Sequence, residues 1–231
     1  SPGKAIDILR PVLDSQRPDA ESLALMAEGY LQLGDAKTAE QLFTQAGSLK
    51  PDDSRVRTAL ALLQVGKGKA DMAFDELRAT AASTADTFPD MALISAYIHK
   101  KDFDAALKAI DSLQKKSANS PLPELLRGRI QLALKRTEQA RESFSKALTK
   151  DPVYLPALAA LASMDLADGK PKEAEQRFAD SLKANPQNLV ATLAVAELKI
   201  RGGAEREEIV KLLEGAVRNH PSEVSARLKL I

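Results

Sequence analysis

Histidine, cysteine and closely spaced carboxylates are the side chains best able to ligate a metal or move a proton, and this 231-residue chain uses them sparingly. It has no cysteine and two histidines, His99 and His220, far apart in the sequence. A metal site of the HxxxH or HExxH kind needs a second ligand one helical turn away. Neither histidine has one, so His99 reads as a surface residue near a helix end and His220 as a loop residue before Pro221. The run Gly66-Lys67-Gly68-Lys69 lacks the GxxxxGK[ST] frame of a phosphate-binding loop and reads as a turn. Asp52-Asp53 and Glu207-Glu208 fall where helices begin, and there a carboxylate favours the positive end of the helix dipole. No catalytic, cofactor-binding or metal-binding residue is expected in this segment.

The elements that would have to position any site are short helices. From Asp151 to Pro186 the sequence holds two helical patterns with Gly169 between them and a proline at each end. In the first, Leu155, Leu158, Leu161, Ala162 and Leu166 follow the spacing of one helix face. Gly169 suits the left-handed position after the last turn, and Pro171 suits the first turn of the next helix. The second helix carries Ala174, Phe178 and Ser181 on one side. Two helices this short cannot cover their own apolar faces, so they need copies on both flanks.

The copies are present. Ala5, Ala39, Ala73, Ala106, Ala140 and Ala174 are separated by 34 residues, with one step of 33 between Ala73 and Ala106. Four residues after each stands a bulky apolar side chain: Leu9, Phe43, Leu77, Ile110, Phe144 and Phe178. Closing prolines recur at Pro51, Pro152, Pro186 and Pro221, with Pro121 slightly late and none between Ser54 and Asp86. This period and its small, bulky and proline rows resemble the tetratricopeptide repeat (TPR). The resemblance implies an all-α, right-handed superhelical solenoid of antiparallel helix pairs. The expected organisation is one array over residues 1–231, with a partial repeat 1–19, repeats 20–53, 54–86, 87–120, 121–154, 155–188 and 189–221, and a partial repeat 222–231. The helix pairs are Asp19–Leu33 with Ala36–Leu49, Ser54–Val65 with Lys69–Ala81, Thr87–Lys100 with Phe103–Lys116, Pro121–Leu134 with Thr137–Thr149, and Leu189–Ile200 with Glu205–Arg218, besides the pair first described. Glu124 and Arg127 stand where sister repeats have apolar residues, which predicts a local shift of the packing frame.

Composition agrees. Aromatics are only 4% of residues and Trp is absent, as suits helices packed closely through Ala and Leu. The net charge of +1 gives no overall pull towards nucleic acid or membrane. The stretch from Lys100 to Lys150 is basic, but its lysines fall mostly on second helices (Lys108, Lys115, Lys146, Lys150) and do not alternate with aromatics, so a solvated face is read there in preference to an RNA site. No apolar run approaches the roughly 20 residues that span a bilayer, and direct membrane insertion of this segment is not expected.

In a TPR array the first helix of each pair lines an inner groove, which implies a protein or peptide partner. Three residues of each first helix, at i, i+4 and i+7, should face it: Ala24, Glu28 and Leu31; Thr58, Leu62 and Val65; Met91, Ser95 and Ile98; Leu125, Arg129 and Leu132; Ala159, Ser163 and Leu166; Leu193, Glu197 and Ile200. The last member is always aliphatic, which fits a floor common to all repeats. The middle member varies between Glu, Leu, Ser and Arg, a variety packing does not need. Glu28, Arg129 and Glu197 are either groups that orient a bound segment or ordinary solvated residues. The Lys/Asn arrangement by which chaperone-binding TPRs hold a C-terminal carboxylate is absent from these positions.

A narrower likeness lies in the wording DPVYLPALAALASMDLADGKPKEAEQRF, NPQNLVATLAVAEL and HPSEVSARLKL. It is similar to the TPR lipoproteins of PEP-CTERM/exosortase protein-sorting and exopolysaccharide systems of Gram-negative bacteria. That likeness implies a longer, lipid-anchored parent in the cell envelope, acting as a scaffold for export or polysaccharide assembly. The last stretch is apolar on one face through Val224, Leu228 and Ile231, so the segment is expected to be part of a longer array. The other reading is a structural chain that self-associates into homo-oligomers through these ends.

Overall fold

The computed structural model describes residues 2–13, 18–68 and 70–228, which form fourteen helices and no strand. They are α1 (Pro2–Leu13), α2 (Ala20–Gln32), α3 (Ala36–Leu49), α4 (Ser54–Gly66), α5 (Ala70–Ser83), α6 (Phe88–His99), α7 (Phe103–Lys116), α8 (Leu122–Ala133), α9 (Thr137–Lys150), α10 (Leu155–Ala167), α11 (Pro171–Ala184), α12 (Leu189–Arg201), α13 (Arg206–Asn219) and α14 (Val224–Leu228). They fall into two units, residues 1–117 with α1–α7 and residues 118–231 with α8–α14. Within each unit every helix packs on the helix before and after it; in the first, α4 also touches α6. No described helix is long and apolar enough to cross a membrane.

The alanine row is what lets the helices approach. Ala39, Ala73, Ala106, Ala140 and Ala174 are all buried, and so are Phe43, Leu77, Ile110, Phe144 and Phe178 four residues on. The side chain of Ala5 lies outside the described residues. In the first unit Phe43 and Ala39 pack with Leu23, Met26 and Val56; in the second Phe144 and Ala140 pack with Leu125, Leu161 and Met164. At Gly128 the approach is close: a Cβ there would lie 2.5 Å from the Phe144 ring. Glu124 and Arg127 cause no break in this frame. They pair with each other at 3.6 Å, half-buried, on α8.

The turn between the helices of each pair carries a second row in the same phase. Gly34, Gly68, Lys101, Lys135, Gly169 and Gly203 all have positive φ. After five of them the next N–H returns to a carbonyl five residues back, as Asp35 does to Tyr30 and Lys170 to Asp165, closing the helix end by a Schellman motif. Asp35 and Asp102 then cap α3 and α7 by accepting the N–H of Thr38 and of Ala105. Asp53 caps α4, accepting the N–H of Arg55 at 3.0 Å. Gly66 to Gly68 thus close the end of α4.

The one repeat without a closing proline is held differently. Its loop, Thr84–Thr87, is fixed by the ammonium of Lys116 from α7, which donates to the carbonyls of Ala81 and Asp86 and pairs with the carboxylate of Asp90. Asp90 is 1% exposed, so this is a buried ion pair.

Candidate functional site

The face formed by the first helices of the first unit holds a cavity of about 720 Å³. Leu31 from α2, Leu62 and Ala59 from α4, and Phe88 at the start of α6 make its apolar wall, with Phe43 of α3 behind them. Leu31, Leu62 and Phe88 are 37%, 38% and 45% exposed, so the wall is open to solvent. At the rim the Glu28 carboxylate accepts two N–H groups of Arg55, from Nε and Nη2, each at 2.5 Å. That fork-to-fork pair bridges neighbouring repeats and fixes both side chains. Asp86, which accepts from the Ser54 hydroxyl at 3.4 Å, also lines the cavity. An apolar trough bordered by fixed polar groups is what a segment of polypeptide can occupy.

Of the residues expected to face a groove, Glu28, Leu31 and Leu62 meet in this cavity. Met91, Ser95 and Ile98 lie on α6 outside its lining, Met91 half-buried and the other two exposed. In the second unit Arg129 and Leu132 on α8, and Ser163 and Leu166 on α10, are exposed, while Glu197 on α12 is half-buried and pairs with Arg201 at 3.1 Å. Leu125 is a correction. It is 2% exposed and sits in the core against Ala140, Phe144 and Leu161. The reason is positional: near the start of α8, the second helix α9 and the next first helix α10 close over it. Ala24 and Thr58, the corresponding members of two other triples, are buried as well.

The last members of the triples form a regular row. Leu31, Ile98, Leu132, Leu166 and Ile200 are between 36% and 47% exposed, and Val65 is half-buried. Large aliphatic side chains held this open at one repeat position are more than packing needs. Arg55, Gln32 and Phe88 were not among the expected groove residues. Arg55 is 27 positions after Glu28, a distance no helix periodicity flags, and Phe88 precedes the regular face of α6.

One polar position joins the repeats on the other side of the first helices. Tyr30, Gln64, Tyr97, Gln131, Asp165 and Lys199 occupy the same place in successive repeats. Gln64 donates to Glu40 at 3.2 Å, Arg78 to the Tyr97 hydroxyl at 3.0 Å, and Ser143 to Gln131 at 2.7 Å. Asp165, 2% exposed, accepts from Arg141 of α9 at 2.6 Å and from Arg177 of α11. Burial pushes the Asp165 carboxyl up, but the N–H groups of Arg177 and Arg141 outweigh it and hold it below the usual carboxylate range. Lys199 pairs with Glu175 and Glu208, both at 2.8 Å. These are structural ties between second helices and first helices. Among the described residues no group of three or more His, Asp or Glu could hold a metal ion. His99 is exposed at the end of α6, and His220 Nε2 lies 2.7 Å from the Gln187 carbonyl.

The fold and the open first-helix faces define a helical-hairpin repeat protein of the kind that binds other proteins. The chain belongs to the tetratricopeptide repeat family: one profile of that family matches residues 1–63 and 131–194, over half of the chain, and a second matches residues 91–154. Solved structures share the fold. The APC/C hetero-tetramer Cut9-Hcn1 is similar with a TM-score of 0.57 at 15% identity, over 100% of this chain and 45% of that one. The pilF protein of Pseudomonas aeruginosa gives 0.59 at 18%, over 91% and 96%. Yeast Tom70 gives 0.64 at 16%, over 92% and 45%. This chain thus spans under half the length of the Cut9-Hcn1 and Tom70 chains. No curated protein matches it in sequence. TPR proteins in general mediate protein–protein interaction and act as non-catalytic scaffolds.

Proposed function

We propose that this chain is a non-catalytic scaffold that binds polypeptide segments on the faces made by its first helices. The observation that carries this reading is the open apolar cavity of about 720 Å³ between Leu31, Leu62 and Phe88. Its aliphatic and aromatic wall supplies anchoring area, and the paired Glu28 and Arg55 supply a fixed polar edge. Peptides selected from a displayed random library against the whole chain should lose about thirtyfold in affinity on Leu62→Glu, the equivalent of about 2 kcal/mol of hot-spot contact. The variant should keep its helical circular dichroism and melting temperature, because Leu62 is already 38% exposed. Equal affinity of both proteins for every selected peptide would remove the reading.

The setting we propose is the bacterial cell envelope, in protein sorting or exopolysaccharide assembly. Its support is the wording shared with PEP-CTERM-associated TPR lipoproteins, and flotation of the full-length product with membranes is the test. Self-assembly is the second reading, favoured by Val224, 60% exposed on α14. The side chains of Leu228 and Ile231 lie outside the described residues. A scattering mass that rises with concentration in wild type and stays flat in Val224→Glu would support it.

A further inference from the structure

The middle positions of the first helices carry three charges, and they are unequal. Glu28 is neutralised by Arg55, which grips both carboxylate oxygens. Glu197 is paired with Arg201 at 3.1 Å on the same helix. Arg129 is exposed and has no ion pair or hydrogen bond among the described residues. Its nearest acidic neighbour on α8, Glu124, is taken by Arg127. The turn that closes α8 adds Lys135 and Arg136, both exposed and also without a side-chain partner among the described residues. The next first helix, α10, offers no charge on this side: Pro156, Ala159, Ser163 and Leu166 are its exposed residues there.

The first-helix face of α8 and α10 is therefore an aliphatic surface on which Arg129, among the described residues, is a guanidinium without a counter-charge. A ligand that covers Leu132 and Leu166 also takes water from Arg129. If it brings no anion, the guanidinium is desolvated without a counter-charge, which disfavours binding. A carboxylate placed there can meet two N–H groups of the fork at once. We propose that this face selects acidic polypeptide segments, with a Glu or Asp between aliphatic residues, and that Arg129 sets the preference. The proposal rests on the scaffold reading above and adds the sign of the partner's charge.

The test is a random-peptide selection on the whole chain, run in parallel with wild type and Arg129→Glu, reading the charge of the enriched peptides. Wild type should enrich Asp and Glu, with affinities that fall as salt rises, and Arg129→Glu should turn the preference towards Lys and Arg. Because Arg129 is solvent-exposed, the two proteins should melt together. Should the charge reversal lower the melting point, Arg129→Gln provides the same readout as loss of the acidic preference. Peptides of the same charge composition from wild type and variant would overturn the proposal while leaving the scaffold reading intact. Failure of wild type to enrich any peptide would overturn both.

Discussion

Gly128→Ala tests the packing on which the repeat reading depends. Gly128 is inside α8, and in an ordinary helix interior the change to Ala stabilises by about 1 kcal/mol. Here the new Cβ would stand 2.5, 2.7 and 2.9 Å from Cε1, Cδ1 and Cζ of Phe144. Carbon atoms in contact sit about 3.5–4.0 Å apart, so the ring would have to retreat by roughly 1 Å. It has no room, being 0% exposed and packed against Leu125, Ala140, Ala147 and Leu161. Overpacking a filled core costs about 1–3 kcal/mol, which leaves a net loss of up to about 2 kcal/mol once the propensity gain is subtracted, against a gain where the core can yield. Gly215→Ala in α13 of the same unit is the control: its Cβ would meet only Arg218 Nη2 at 3.9 Å, so it should stabilise by about 1 kcal/mol. Urea unfolding followed by circular dichroism gives both values, and hydrogen exchange localises the effect to α8–α10. Adding Phe144→Leu to Gly128→Ala should recover part of the loss, with a coupling of about 1 kcal/mol or more. If Gly128→Ala stabilises as Gly215→Ala does, the close helix approach at this position is wrong.

Lys135→Gly should stabilise by about 0.5–1 kcal/mol, because its φ of 59° costs a side chain about 1–2 kcal/mol while glycine adds about 0.5–1 kcal/mol of unfolded-state entropy; urea midpoints read the change. Lys116→Met should destabilise the first unit by about 3–5 kcal/mol by leaving Asp90 charged and buried. Lost hydrogen-exchange protection at Ala81–Thr87 would locate it, and Asp90→Asn in the same chain should return part of the stability. For Asp165 the sign follows from its lowered value: its contribution is present above the unfolded carboxyl pKa of about 3.9 and is lost as pH falls through the lower folded value. The stability gap between wild type and Asp165→Asn should therefore hold from neutral pH to about 5 and close below about 4, as urea unfolding at each pH would record. A gap that widens on acidification would contradict the ion-pair account.

Two kinds of information differ in how legible they were. The helix limits of α3 and α7 follow residue for residue from the periodicity and the Asp caps, with Gly34 marking the turn before α3. The alanine row predicted which side chains lie between helices because Ala is one of few residues that lets two helices come that close. The positive-φ row was half visible: Gly34 and Gly169 announce it, but Lys101 and Lys135 occupy the same place with nothing in their type to show it. Only their spacing could have. Leu125 was misplaced because a periodicity gives the face of a helix and is silent on which end its neighbours cover. The pairing of Glu28 with Arg55 depends on the offset between two separate helices, which a one-dimensional pattern does not contain.

The two polar systems also separate by depth, and this separates their roles. Asp165, Gln131 and Lys199 are half-buried or buried and tied to second helices, so a change there alters how one repeat sits on the next. Arg129 and Ser163 lie on the opposite side of the same helices, exposed, beside aliphatic residues that are themselves more than a third exposed. Substitutions on the first set should act on stability, and those on the second on binding with stability unmoved. A first helix of this chain thus has one side that holds the stack together and another that leaves its middle residue exposed or half-buried. That division accounts for the variety of the middle row, which runs from Glu to Leu, Ser and Arg, while on the second helices Ala39, Ala73, Ala106, Ala140 and Ala174 are each buried against a neighbouring helix.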